Sequence, residues 1–262
     1  MAKVRLDALL ARRGLFGTRT RAAASVIAGE VRLGRDGRPA VKPGQLVAED
    51  VEVAVARPRD YVSRGGRKLA NALQATGVTV ARRRALDVGA STGGFTDCLL
   101  QFGAARVVAV DVAYGELSWR LREDERVTVL ERTNARHLRP DDLPYAPDLI
   151  VVDVSFISLA KVLPAVLSCA AARFDCLALC KPQFEVGRER VAKGGVVRDG
   201  ADRRAALLSV ARSARAAGAS VQGFAFSGLP GPKGNRETFV WLADPARGDV
   251  PDLEASAREV EP

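Results

Sequence analysis

The stretch Ala85 to Leu100, "ALDVGASTGGFTDCLL", limits what this chain can become more than any other. An apolar run meets a glycine-rich bend and then residues at helical spacing, the pattern of a strand, a tight turn and a helix start. Loops of this form hold nucleotides, because glycines permit close backbone approach and a helix start presents unpaired N–H groups. No Gly-Lys-Ser/Thr follows, so the loop is not built for a triphosphate. A dinucleotide fits no better, since Gly89, Gly93 and Gly94 have the wrong spacing and Ser91 stands where a close-approach glycine belongs. Asp87, read at the bend, would also repel a pyrophosphate. S-adenosylmethionine (SAM) has no phosphate and carries an ammonium and a sulfonium, which a carboxylate attracts. Asp87, Gly89, Ser91, Gly93, Gly94 and the adjoining Phe95 are therefore candidate cofactor residues.

Beyond the loop, the strand-like runs "RVVAVDV", "VTVLE", "DLIVVDVS", "DCLALCK", "VQGFAF" and "TFVWLA" alternate with helix-length segments such as "DRRAALLSVARSARAAG". The alternation predicts an α/β, Rossmann-like parallel sheet covered on both faces, with ligands at the carboxyl ends of its strands. Asp111 ends the second strand, placed for a ribose diol, and Asn134 follows the third, placed for an adenine edge. Asp153 and Lys181 end the fourth and fifth. The fourth strand lacks the Pro-Pro-aromatic run of a nitrogen methylase. A hydroxyl acceptor, which needs a base or a cationic neighbour, suits Lys181 beside Asp153. His137, in the polar "TNARHLRP", reads as an exposed or satisfied imidazole. The four cysteines (Cys98, Cys169, Cys176, Cys180) have apolar neighbours and no CxxC spacing, so they read as buried reduced thiols and no metal site is expected.

Charge separates the front of the chain from the rest. Residues 1–57 hold 11 basic and 6 acidic side chains, a net +5, and the other 205 residues hold 29 and 25, a net +4. More than half of the excess thus lies in about a fifth of the chain, which suits a nucleic-acid-facing end. Leu6, Leu9 and Leu10 mark a first helix. A second opens at Thr18 or Thr20, with Ala22, Ala23, Val26 and Ile27 as its apolar stripe and Gly29 as its stop. Arg19 and Arg21 stand in its first turn, where the helix dipole disfavours cations and an anionic partner would relieve the conflict. The strand-like "VRL" and "DVEVAV" follow. Two short arginine-bearing helices and a small sheet in this order resemble the S4 family of RNA-binding domains. The expected RNA-facing residues are Arg5, Arg12, Arg19 and Arg21. Arg57, Arg59, Arg64 and Arg67 of the hinge "RPRDYVSRGGRK" join them.

Most of the chain resembles the TlyA family (also called haemolysin A), S4-fronted rRNA 2′-O-ribose methyltransferases. The resemblance is carried by "VSRGGRKL", "DVGASTGGFTDCLLQ", "ERTNAR", "DVSFISL", "KPQFEVG", "KGGVVRD" and "PGPKGNRE". The catalytic half is similar to FtsJ-type methyltransferases, whose Lys-Asp-Lys-Glu tetrad falls here on Lys68, Asp153, Lys181 and Glu237. The resemblance implies SAM as cofactor and methylation of cytidine riboses in 23S and, in some members, 16S rRNA. Its implied partners are ribosomal RNA or ribosomal subunits, with no DNA and no membrane. One departure is Ala113 in "DVAYGEL", where glycine is expected and where a positive φ would strain the loop.

The expected organisation is an S4-like domain over 1–57, a basic linker over 58–63, a methyltransferase domain over 64–245 and a loosely ordered polar tail over 246–262. Glu185 to Gly200, glycine-rich and basic, suits a mobile lid. No apolar run approaches the roughly 18 residues of a membrane span. The first residues lack the apolar stretch of a secretory signal, so a cytoplasmic protein is expected. Two rivals stay open, an RNA-binding protein with an inactive methylase fold and a membrane-active haemolysin.

Overall fold

The chain divides into two units, Met1–Asp60 and Tyr61–Pro262, in the computed structural model, which describes residues 3–27, 29–55 and 61–262. In the first unit β1 (Lys3–Arg5) runs into α1 (Leu6–Arg12), followed by α2 (Arg19–Ile27), β2 (Val31–Leu33), β3 (Arg38–Pro39), β4 (Leu46–Ala48) and β5 (Val53–Val55). β1 pairs with β4, and β2 lies between β3 and β5. Leu6, Leu9 and Leu10 pack on Ala22, Val26, Val31 and Val47 as a small separate core. Thr18 opens α2, its hydroxyl accepting from the Arg21 amide at 3.1 Å. Ile27, expected in the apolar stripe, is instead 77% exposed, because it lies a hundred degrees around the helix from Val26.

The second unit begins with α3 (Arg64–Thr76) and alternates through β6 (Arg84–Val88), α4 (Gly94–Gln101), β7 (Arg106–Val110), α5 (Trp119–Arg122), β8 (Val127–Leu130) and β9 (Leu149–Val152). It continues with α6 (Leu163–Ser168), β10 (Asp175–Cys180), α7 (Pro182–Glu185), α8 (Gly200–Ala216), β11 (Ser220–Phe226), β12 (Thr238–Ala243) and α9 (Leu253–Val260). Its seven strands form one sheet in the order β11-β12-β10-β9-β6-β7-β8. Side chains alternate across it as strand geometry requires. Leu86, Val88, Ile150 and Val152 face α6 and α8, whereas Ala85, Leu149 and Val151 face α3 and α4. The result is the Rossmann-like three-layer arrangement.

Three expectations need correction. The sheet is not wholly parallel, for β12 runs antiparallel to both β10 and β11. β11 and β12 are joined by a loop without a crossover helix, and a direct return of the chain reverses the strand. The second unit begins at Tyr61, inside the expected linker over 58–63. Residues 58–60, with Arg57 and Arg59, lie outside the described residues, but Tyr61 packs on the larger core and the Val62 amide donates to Asp97 at 2.8 Å. The tail is ordered. Asp252 caps α9 through the Ala255 amide at 2.8 Å, and Leu253, Ala257 and Glu261 are buried. Its polar composition hid one apolar face, Leu253 and Ala257 at helical spacing, which docks on the core. Leu253→Ala should therefore lower unfolding stability by about 2–4 kcal/mol, as buried leucine truncations do. Urea titration of the purified variant measures it, and a midpoint unchanged from wild type would mean that the helix does not hold the fold.

Candidate active site

Strand register assembles the site. Val88 pairs with Val152, so the first residues beyond the two strands, Gly89 and Asp153, stand side by side. A Cβ on Gly89 would overlap the Asp153 carbonyl, and φ there is +85°. Only glycine fits. Cys180 pairs with Thr238 in the antiparallel ladder, which sets Lys181 across from Glu237 at the end of the sheet. Lys181 Nζ lies 2.6 Å from Asp153 Oδ1 and donates to Ser155 Oγ at 2.7 Å. From α3, Lys68 Nζ donates to Glu237 Oε2 at 2.5 Å, with Lys68 7% and Glu237 1% exposed. Glu237 is buried where the chain enters β12, the strand between β10 and β11.

All four residues of the expected tetrad line one cavity of about 550 Å³, with Gly231, Lys233 and Asn235 on the facing loop. A larger cavity of about 950 Å³ is lined by Gly89, Ser91, Asp111, Asn134 and Asp153. The two share walls at Gly89, Ser91, Asp153, Ser155, Phe156, Gln183 and Phe184. A third, of about 490 Å³, opens beside Gly94, Phe95 and Arg64. Phe95 is mostly a core residue, its ring 5.8 Å from that of Phe239. Gly93 is the N-cap of α4 at φ +96°, where a Cβ would overlap Leu121, so its role is to turn the chain.

Asp87 is placed differently from the expectation. β6 runs on through Val88, so Asp87 points with Ala85 toward α4 and is fully buried, lining none of these cavities. One oxygen accepts from Thr96 Oγ1 at 2.7 Å, and the other has no partner among the described residues. Burial pushes its carboxyl up to about 7, opposed by the Thr96 hydrogen bond and reinforced by the charges of Asp153 and Asp111. Asp111 itself accepts from the amides of Ser91 at 2.7 Å and Ala113 at 2.8 Å, shaping the loop as well as facing the cavity. Asn134 is exposed at the cavity wall and accepts from the Arg136 amide at 3.1 Å. Ala113 is not among the positive-φ residues, so the departure from glycine strains nothing.

Other functional candidates escaped the sequence reading. Phe156 is 91% exposed with φ +63°, and its ring lies 5.2 Å from that of Phe184. A bulky residue in the left-handed region is strained by about 1 kcal/mol or more and persists where surroundings impose it. Both rings lie inside the motifs "DVSFISL" and "KPQFEVG", but no sequence signal distinguishes a cavity-wall phenylalanine from a core one. Glu185 ties the two motifs, accepting from Ser158 Oγ at 2.6 Å and the Leu159 amide at 2.8 Å. The segment read as a mobile lid is fastened at Asn235, which accepts from the Val197 amide at 2.9 Å and donates to the Gly195 carbonyl at 2.7 Å. His137 is exposed and all four cysteines are free thiols in the interior.

On the first unit, Arg5 and Arg19 both reach Asp7, at 2.9 and 3.3 Å, and Arg12 pairs with Glu49 at 2.5 Å. The Arg5 hydrogen bond, with help from Arg19, brings the Asp7 carboxyl down to about 2. Arg21 is exposed, while Arg64 donates to the Pro230 carbonyl at 2.8 Å and Arg67 is half-buried. These last two belong to the second unit.

A glycine turn after β6, acidic residues at neighbouring strand tips and an antiparallel β12 together define a Rossmann-like methyltransferase. Comparison with known proteins narrows the class. Residues 61–244 match the FtsJ-like methyltransferase family, and the chain belongs to it. It is 52% identical over 92% of its length to the 16S/23S rRNA (cytidine-2'-O)-methyltransferase TlyA of Mycobacterium tuberculosis, covering 90% of that protein. Hemolysin A of Brachyspira hyodysenteriae is 35% identical over 89% of this chain and 97% of its own. A solved structure of a hemolysin-like protein from Streptococcus thermophilus superposes with a TM-score of 0.74 at 40% identity, covering 99% of this chain and 94% of that one.

The Asp87 carboxyl yields a pH test. Its folded value near 7 lies above the unfolded 3.8, so the folded state binds more protons in that window and loses relative stability as pH rises through it. Asp87→Asn removes the proton. Wild type should therefore lose stability relative to Asp87→Asn by about 1.4 kcal/mol for each pH unit climbed between these values. Parallel urea curves at pH 5 and pH 7 would contradict the placement.

Proposed function

We propose that this chain transfers the methyl group of SAM to the 2′-oxygen of a cytidine ribose in ribosomal RNA. The single observation that carries the reading is the cavity lined by Lys68, Asp153, Lys181 and Glu237, which shares a wall with the glycine-loop cavity. Bound SAM supplies an electrophilic methyl carried on a positive sulfur. The residues present suit such a group. Asp111 and Asp153 bring negative charge to the glycine-loop cavity, which a cationic ligand offsets and a phosphate would worsen. Gly89 leaves backbone room, and Asp111 would hold the ribose diol and Asn134 the adenine edge.

Lys181, fixed by Asp153 and Ser155, would place its ammonium at the ribose hydroxyl, where a nearby cation stabilises the developing alkoxide while the 2′ proton passes to solvent water. Lys68, held by Glu237, orients that hydroxyl. Phe156 and Phe184 offer ring faces on which an unstacked base can rest, as single-stranded RNA recognition commonly requires. The 23S target, and 16S as a second, follow from the activity that the Mycobacterium relative's name records. Arg5, Arg12, Arg19 and Arg21, with Arg57, Arg59, Arg64 and Arg67, grip RNA phosphates, and the protein works in the cytoplasm on rRNA or ribosomal subunits. A membrane-active reading finds less support, since among the described residues no helix is long and apolar enough to cross a membrane.

Two experiments test this. Lys181→Ala should bind SAM and RNA as wild type does, yet lose about 10²–10⁴ in single-turnover methyl transfer. Lys181→Arg should not rescue it, because a planar guanidinium differs in shape and spreads the charge that an ammonium concentrates. A rate within about tenfold of wild type, below those losses, would remove Lys181 from the chemistry. Arg21→Glu avoids stranding the buried Asp7, so it isolates the RNA grip. It should flatten the log–log salt dependence of rRNA binding by about 0.7–0.9 or more while SAM affinity stays unchanged. An unaltered slope in a folded variant would take phosphate contact away from α2.

A further inference from the structure

We propose that Glu261, in the segment after α9, is a positioning residue that holds Glu237 in the active site. The inference rests on the catalytic reading of Glu237 given above. Residues 235–238 enter β12 with side chains alternating between two faces, as a strand requires. Asn235 and Glu237 turn toward the tetrad cavity, and Arg236 and Thr238 turn away. On that far side Glu261, 1% exposed, accepts from Thr238 Oγ1 at 2.7 Å and lies 3.0 Å from Arg236 Nε. One carboxylate therefore grips the residues immediately before and after Glu237. The grip is anchored, because Arg203 of α8 donates to Glu261 Oε2 at 2.7 Å and Arg236 reaches the Val260 carbonyl at 2.9 Å. Arg203 also donates to the Arg198 carbonyl at 2.7 Å. Glu261 thus joins the start of β12 to the end of the segment that lines the cavity's far wall at Gly195.

A one-residue slip would exchange the two faces, turning Glu237 outward and leaving Lys68 without its partner. Thr238 is the first residue of β12, opposite Cys180, and only the loop precedes it. The backbone there is paired on both sides, with Cys180 of β10 and Phe226 of β11, and Glu261 adds a side-chain hold on the two residues that flank Glu237.

The test compares Glu261→Gln with Leu253→Ala, which loosens the same tail without removing any Glu261 contact, and with Glu237→Gln. Single-turnover methyl transfer is measured at saturating SAM and RNA, at a temperature where circular dichroism shows every variant folded. Glu261→Gln should lose about tenfold to a hundredfold in rate, as small misplacements of a catalytic group do, with SAM affinity unchanged. Leu253→Ala, although less stable, should keep its rate. Adding Arg236→Ala to Glu261→Gln should cost less than the two separate losses combined, since both act through one contact. A wild-type rate in Glu261→Gln alongside a slow Glu237→Gln overturns the inference alone. A wild-type rate in Glu237→Gln overturns the reading of Glu237 and this inference with it. Where Glu261→Gln does not fold, Thr238→Val removes only the hydroxyl that Glu261 accepts from. The same loss of rate supports the proposal there, and a wild-type rate overturns it.

Discussion

The buried ion pair between Lys68 and Glu237 is the constraint on which the rest of the site depends. Two charges withdrawn from water at the end of a sheet are costly unless each fully satisfies the other, and separating such a pair costs about 3–5 kcal/mol. Here the partners belong to α3 and β12, so pairing them sets the helix against the strand end. Ser63 caps α3 through the Gly65 amide at 3.3 Å, and a Cβ on Gly66 would overlap Tyr61 and crowd the Gly94 carbonyl. The glycine loop, the helix that delivers Lys68 and the strand that delivers Glu237 therefore fit together only in one arrangement.

Much of this was legible in the sequence, and the limits have physical causes. Strand positions were readable because buried strands are continuous apolar runs, and residues just beyond them, such as Asp153 and Lys181, must lie at the tips. Strand direction was not readable, since an apolar run looks the same either way and only the loop between β11 and β12 decides. Asp87 was misplaced by one step of the pleat: whether a residue is the last of a strand or the first of a bend determines the face it points to. Glu237 could be assigned from the FtsJ-like motif, but its burial follows from β12 lying inside the sheet, which composition does not disclose. Phe156 carried no signal, because its strain is a property of φ.

The protein is thus loaded before any ligand arrives. The carboxylates of Asp111 and Asp153 line the glycine-loop cavity, a buried carboxyl behind it keeps one oxygen unpartnered among the described residues, and an aromatic ring is held exposed in an unfavourable backbone state. Each is a local conflict of the kind that natural sequences otherwise avoid, and such conflicts cluster where a partner resolves them. The remainder of the sheet is consistent at every level, with apolar residues on both faces and helices to cover them.

The separation of the ion-paired residues along the chain has a consequence for the protein's own synthesis. Lys68 and Glu237 are 169 residues apart, and at usual elongation rates of about 5–20 residues per second roughly ten to thirty seconds pass between their appearances. The first unit, with its own core of local contacts, can fold in that interval. The second cannot complete its sheet, because β12 belongs between β10 and β11 and is made last among the strands. A nascent chain therefore presents its basic front end long before it possesses a catalytic centre. The order of synthesis thus completes the basic first unit before the tetrad residues can meet.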